Sequence, residues 1–181
     1  MKVIAFVGIS GVGKSNFLKS AKGAAPFVHL EASNLIKEEL ALVQRKLQTS
    51  EELRTGPVLD NQKILIKAFE RQTRAQEGLI VLDGHTVVDT GSELQRIPAS
   101  IFAEIGVEAI IFLQDVPEII RARRQADANR PRPDRTTHEI EHHQQEALLA
   151  AADIARDLSV PLHVVTHSLA DKLFELIQNR D

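Results

Sequence analysis

The run Gly8-Ile9-Ser10-Gly11-Val12-Gly13-Lys14-Ser15 fits G-x-x-x-x-G-K-[ST], a spacing that suits one task, holding phosphate. Glycines at 8, 11 and 13 let the backbone curl until several N–H groups point at a single anion. The helix that opens there adds the partial positive charge of its first turn. Lys14 then reaches the β- and γ-phosphates of a nucleoside triphosphate, and the Ser15 hydroxyl holds Mg²⁺. Gly8, Ser10, Gly11, Val12, Gly13, Lys14, Ser15 and Asn16 thus make up the expected cradle for ATP and Mg²⁺. A second feature is Leu79-Ile80-Val81-Leu82-Asp83, four apolar residues ending in an acid. At the carboxyl end of a parallel strand Asp83 would face the phosphates. There it can hold Mg²⁺ through water, or take a proton from an attacking hydroxyl, rather than simply mark the strand end. Gly84 behind it lets backbone approach a substrate closely.

The third feature is basic. Arg121, Arg123, Arg124, Arg130, Arg132 and Arg135 crowd into fifteen positions of a chain whose net charge is -3. A guanidinium grips phosphate oxygens with a planar fork and never loses its charge, so closing arginines can stabilise a moving phosphoryl group. Pro131 and Pro133 stiffen this stretch, which reads as a lid between two helices. The bland alternative is a solvated helix face balanced by Asp127 and Asp134. No aromatic residue interleaves these charges, which argues against a groove for single-stranded nucleic acid. His138-Glu139-Ile140-Glu141-His142 also satisfies H-E-x-x-H, the helical zinc-protease pattern, with His143 beside it. The further histidine and glycine of one large zinc-protease class are missing after His142, and the phosphate loop already supplies a site, so this reads as a decoy.

Strand-like and helix-like segments alternate along the chain, the signature of an α/β fold around a mainly parallel sheet. Strands are expected at Lys2–Val7, Phe27–Leu30, Gly78–Leu82, Val107–Leu113 and Val160–Thr166, several of them continuous apolar runs as in strands covered on both faces. Helices are expected near 14–22, 33–47, 60–77, 98–105, 116–128, 137–158 and 168–179, with loops at Thr49–Pro57 and Asp89–Ile97. The length suits one domain, 1–181, with an acceptor-binding segment at about 31–77 and the lid at about 124–137. The aromatic residues are few and all Phe, so the core must be built mainly from Ile, Leu, Val and Ala. Without cysteine there is no disulfide, thiolate metal site or cysteine nucleophile, which fits a reducing cytoplasmic setting. The first apolar run is too short for a signal peptide, and no stretch approaches the length that crosses a bilayer.

Together these residues place the chain. It resembles the nucleoside monophosphate kinase group of phosphate-loop proteins, and most closely the archaeal-type adenylate kinase family, over nearly its whole length. The resemblance rests on Gly8–Ser15, on Glu52-Leu53-Arg54 before a helix, and on Val81-Leu82-Asp83-Gly84-His85-Thr86. It continues from Arg123-Arg124 through Arg130-Pro131-Arg132 to Thr136-Thr137 and Glu141-His142-His143-Gln144. It implies a three-layer fold with a five-stranded parallel sheet and a short arginine-rich lid. It also implies ATP·Mg²⁺ as donor and a nucleotide, AMP by default, as the small-molecule acceptor. On that resemblance Lys14 and Ser15 serve the donor with Arg124 nearby, Arg130 and Arg132 close from the lid, and Arg54, Gly84 and His85 meet the acceptor. One departure stands out: the family carries a basic residue soon after the histidine, whereas this chain has His85-Thr86-Val87-Val88-Asp89. An acid there would repel an incoming phosphate, and Arg96 is the candidate to replace the missing cation. Two other readings stay open: a kinase of a hydroxyl on a nucleoside or small metabolite, with Asp83 or Asp89 as base, and an ATP-driven switch acting through a protein partner.

Overall fold

The computed structural model describes residues 1–21, 26–44, 53, 58–127 and 132–169. Strand β1 (Lys2–Val7) runs into the phosphate loop, and α1 (Lys14–Ala21) leaves it. There follow β2 (Val28–Glu31), α2 (Ala32–Gln44), α3 (Val58–Thr73) and β3 (Leu79–Gly84). A short hairpin, β4 (Val87–Asp89) and β5 (Leu94–Arg96), leads to α4 (Ala99–Ile105) and β6 (Ala109–Leu113). Then come α5 (Pro117–Ala126), the long α6 (Thr137–Leu158), β7 (Leu162–Val165) and a 3₁₀ turn, His167–Leu169.

The main sheet has five strands, all parallel, in the order β2-β3-β1-β6-β7. Val3 to Val7 are all buried, as are Ala109 to Leu113. Because alternate side chains of a strand point to opposite faces, such runs require cover on both sides of the sheet. Helices supply that cover, so the expected α/β architecture with five parallel strands is the one observed. The order places β1 centrally between β3 and β6, and aligns Phe6 with Asp83 and Val7 with Gly84. The ends of β1, β2 and β3 therefore deliver the phosphate loop, Glu31 and Asp83 to one edge of the sheet.

One expectation needs correction. Asp89–Ile97, read as loop, holds the last residue of β4 and all of β5, an antiparallel pair in which Val87 faces Arg96 and Asp89 faces Leu94. Its strands are three residues long, too short for an alternating pattern to declare itself. The hairpin is tied to α6 by Thr86, whose hydroxyl donates to the Ala147 carbonyl at 2.7 Å. The helix expected over 168–179 falls largely beyond residue 169 and so outside the described residues.

Helix α6 starts on a capping box. The Thr136 hydroxyl accepts from the Glu139 N–H, and the Glu139 carboxylate accepts from the Thr136 N–H. Ile140, His143, Ala147, Ala150, Ala151, Ile154 and Ala155 form its buried stripe. Removing the cap by Thr136→Ala should cost about 1 kcal/mol in urea unfolding while leaving turnover intact. An unchanged unfolding midpoint would show that the helix does not depend on its cap.

Candidate active site

The phosphate loop forms because two positions tolerate only glycine. Gly11 and Gly13 have φ of 84° and 103°, in the region that side chains disfavour. Space is equally restrictive. A Cβ on Gly11 would lie 2.7 Å from the Arg124 Cγ, and one on Gly13 would lie 2.7 Å from the His167 ring. Lys14, only 8% exposed, donates from Nζ to the Gly8 carbonyl at 2.9 Å and stands 3.7 Å from Asp83 Oδ1.

The carbonyls of the curled loop are met from outside it. His85 Nδ1 donates to the Gly8 carbonyl at 2.8 Å, and Arg124 Nε donates to that of Ser10 at 2.8 Å. The Val12 carbonyl accepts from both Arg123, at 2.8 Å, and His167, at 2.7 Å. Asp115 anchors this pair, 2.7 Å from Arg123 and 3.6 Å from His167. Gln144 of α6 in turn brackets Asp115, accepting from its N–H and donating to its carbonyl. A strut thus runs from α6 through Asp115 and Arg123 to the phosphate loop. Sequence reasoning counted Arg123 in the arginine cluster and quoted Gln144 only for the family resemblance, and it gave no bracing role to Asp115, Gln144 or His167, since nothing local in the chain marks such distant pairings.

Asp83 sits at the end of β3 with Lys14 on one side and His29 on the other, each 3.7 Å away. Burial alone would raise its carboxyl, but Lys14 beside it, with His29 and His85, holds it below the usual carboxylate range. It is therefore ionised when the cradle receives cations. Burial together with the Lys14 charge pushes His85 down to about 3, so that its ring is neutral and the proton on Nδ1 serves Gly8. The cradle fits a triphosphate and its divalent ion. Ser10, Gly11, Gly13, Lys14, Ser15 and Asn16 line it with Asp83 facing them, and the glycine curl is one that a Cβ would fill.

A second cavity opens beside the cradle. Its walls are mostly apolar, from Ile36, Leu53, Val58, Leu65, Val87, Ile97, Ile101, Phe102 and Ile105, with Asn61, Gln62 and His143 as buried polar residues among them. The two cavities share Ser10, Ala32, Ser33, Gly84, His85 and Arg132, so a group held in one can meet a group held in the other across that seam. Arg124 and Arg132 border the apolar cavity, each with one buried guanidinium nitrogen, NH2 of Arg124 and NH1 of Arg132, lacking a partner among the described residues. The other nitrogens of Arg132 are engaged, by the Ser10 hydroxyl at 3.0 Å and by Asp127 at 2.6 Å.

Other expected residues lie elsewhere. Arg96 lines neither cavity and pairs with Glu146 and Asp153 of α6, each at 3.0 Å. Asp89 does line the apolar cavity, yet its carboxylate is held by Arg135 through both oxygens, at 3.0 and 3.1 Å, and caps the Gly91 N–H. Arg54 and Arg130 lie outside the described residues, as do residues 128–131 of the expected lid. Of the histidines in the H-E-x-x-H stretch, His138 and His142 are exposed while His143 is buried beneath the hairpin.

Comparison with known proteins agrees with this geometry. The AAA domain family matches residues 7–141. An adenylate kinase of Pyrobaculum aerophilum is 28% identical over 153 residues, covering 80% of this chain and 74% of the relative. An adenylate kinase of Methanopyrus kandleri is 25% identical over 182 residues, covering 97% and 94%. Among solved structures, a shikimate kinase of Acinetobacter baumannii in complex with shikimate superposes with a TM-score of 0.63 at 15% identity, over 100% of this chain and 95% of that one. That last likeness speaks to the fold.

Two measurements test the site. Burial, with Arg124 nearby, pushes His143 down to about 4, as His85 is pushed to about 3. As pH falls below the ordinary value of 6.5, the unfolded chain takes up protons at both rings and the folded chain does not, so stability present above 6.5 is lost on the way down. Urea midpoints should therefore fall from about pH 7 to about pH 5, and His143→Leu should make that slope shallower. A flat profile would rule out neutral buried imidazoles. Separately, Arg96→Ala should leave the KM for any acceptor unchanged in steady-state kinetics, because its guanidinium is tied to α6; a raised KM would return it to the site.

Proposed function

We propose, from the premise that the chain belongs to the AAA domain family, that it transfers the γ-phosphate of ATP to a nucleoside monophosphate, with AMP the first acceptor to test. The chain is a kinase-type phosphotransferase of the P-loop class, and the proposal concerns its acceptor. The observation that carries it is the apolar cavity joined to the phosphate cradle along Gly84 and His85. Apolar walls with few polar groups suit a planar base, whereas a small polyhydroxy acid would leave its hydroxyls against Ile, Leu and Phe. Asn61 and Gln62 each direct an amide N–H to a backbone carbonyl, of Leu53 at 2.9 Å and Val58 at 3.3 Å. Their amide oxygens are left to accept from a base bearing an exocyclic amino group, as adenine does.

In this reading the donor lies along the glycine curl. Lys14 moves from the Gly8 carbonyl to the β- and γ-phosphates, while Ser15 and Asp83 hold Mg²⁺, which neutralises charge developing on the phosphates. The acceptor phosphate enters at the seam, where Arg132 has a guanidinium nitrogen to offer. Arg54 and Arg130 are proposed to join it, on resemblance to the family. A nucleoside monophosphate arrives ionised, so the chain needs no base, only alignment and cations. This favours the nucleotide over a hydroxyl acceptor. Asp83 is held strongly ionised beside Lys14, and Asp89 is clamped by Arg135, so neither stands ready to take a proton. The adenylate kinase names of both relatives point the same way.

The test is ADP formation from ATP·Mg²⁺ with a panel of nucleoside monophosphates, nucleosides, small hydroxy acids and no acceptor. Turnover should depend on a nucleoside monophosphate, be greatest with AMP, and fall at least about 100-fold in Lys14→Ala. Turnover with a nucleoside or hydroxy acid instead would transfer the proposal to a hydroxyl kinase. A small rate that no acceptor stimulates would favour a nucleotide switch.

A further inference from the structure

The cavity proposed for the acceptor has a buried polar group on its wall that the proposed transfer does not use. His143 is 4% exposed, lines the apolar cavity, and has a ring nitrogen, Nδ1, without a partner among the described residues. Its other nitrogen, Nε2, faces the Val87 carbonyl at 3.5 Å. A carbonyl only accepts, so the ring proton belongs on Nε2 and a bare lone pair is left on Nδ1. The charged groups acting on this ring are Arg124, Asp89 and Arg135, with His85 nearby. Asp89 and Arg135 are engaged with each other. Arg124, which lines the same cavity, is not fully engaged: its Nε serves Ser10 while its buried NH2 has no acceptor among the described residues. A bare acceptor and a bare donor therefore belong to two residues of one cavity wall that act on each other electrostatically.

One chemical group answers both. A hydroxyl accepts from a guanidinium and donates to an imidazole, whereas an ionised phosphate can only accept and an amino group of a base only donates. In a nucleotide whose phosphate lies at the seam and whose base lies between Ile36 and Phe102, the hydroxyls between those two parts are those of the sugar. We propose that His143 is a specificity-determining residue that reads a ribose hydroxyl of the acceptor, so that the enzyme selects ribonucleotides over deoxyribonucleotides. This rests on the nucleotide-acceptor reading above. Discrimination follows from the cost of leaving a buried acceptor and a buried guanidinium nitrogen unpaired when the hydroxyl is missing. His143 touches no reacting atom in this arrangement, so its removal should act on selection and leave the transfer step alone.

The experiment compares AMP with its 2′-deoxy and 3′-deoxy analogues as acceptors, at fixed ATP·Mg²⁺, in the wild-type chain, His143→Leu and His143→Asn. In the wild type, kcat/KM should fall at least about tenfold for one of the two analogues, chiefly through KM. His143→Leu should lose that preference while keeping kcat for the deoxy acceptor. His143→Asn, which keeps an acceptor oxygen near the place of Nδ1, should retain part of the preference. Equal use of all three acceptors by the wild type overturns the proposal, whether or not the variants fold, and leaves the nucleotide reading intact. So does a preference that survives in His143→Leu, which would place the reading of the hydroxyl elsewhere. Failure of every nucleoside monophosphate to stimulate turnover would overturn the nucleotide reading itself and this inference with it.

Discussion

Curling a backbone until its N–H groups converge on an anion leaves the carbonyls facing the other way, and those carbonyls need donors. The rest of this site depends on that constraint. A buried carbonyl without a partner is costly. Here Gly8, Ser10 and Val12 have five donors between them, from Lys14, His85, Arg124, Arg123 and His167. They come from four places in the chain: the start of α1, the residue after β3, two adjacent residues of α5, and the turn after β7. The loop is therefore held from four directions before any phosphate arrives, which is the preorganisation that lets fixed dipoles act on a transferring group.

The same constraint explains how the arginines are divided. A cluster of like charges beside a phosphate site invites the reading that all of them grip phosphate. In the fold, Arg123 is committed to the Val12 carbonyl and Asp115, Arg135 to Asp89, and Arg96 to α6. Arg124 and Arg132, which both line the apolar cavity, divide their nitrogens, holding the Ser10 carbonyl or hydroxyl with one while another is unpaired among the described residues. Burial and neighbouring arginines push Arg124 down to about 10, still far above neutrality, so it stays charged where it stands. Guanidinium suits this double duty because its donors are fixed in a fork and point in separate directions. Asp89, which looked from sequence like a repulsive intruder, instead binds Arg135 and fixes the segment that leads into α6.

How much of this could be read from the chain follows from the range of each interaction. The phosphate loop was legible because its chemistry is local: eight consecutive residues, flanked by a strand and a helix, contain the whole geometry. The five strands were legible because parallel strands covered on both faces become continuous apolar runs, as in Val3–Val7 and Ala109–Leu113. The β4–β5 hairpin was not, because three-residue strands leave no period to detect. Arg96 was misleading because its partners, Glu146 and Asp153, lie fifty or more positions away. His143 was hidden by its neighbours. In the sequence it extends a zinc-like motif, and only the turn of α6 reveals that it is buried while His138 and His142 face outward.

The donor and acceptor sides of the site thus differ in kind. A triphosphate is recognised chiefly through backbone, and backbone geometry is written in glycine spacing. On the proposed reading the acceptor is recognised by the walls of the apolar cavity, and those walls come from β1, α2, α3, the end of β3, the hairpin, α4, α5 and α6. No short stretch of sequence contains them. What distinguishes one acceptor from another must then be sought in the few polar atoms that the apolar wall leaves unpaired, since these are the points where a wrong ligand costs most. In this chain such atoms lie on Arg124, Arg132 and His143. All three belong to the stretch from α5 into α6, opposite the strand that delivers the phosphate loop. The element that braces the loop through Gln144 and Asp115 also carries the imidazole on the acceptor wall, one residue away. If His143 selects the acceptor as proposed, acceptor selection and loop bracing share a single turn of α6.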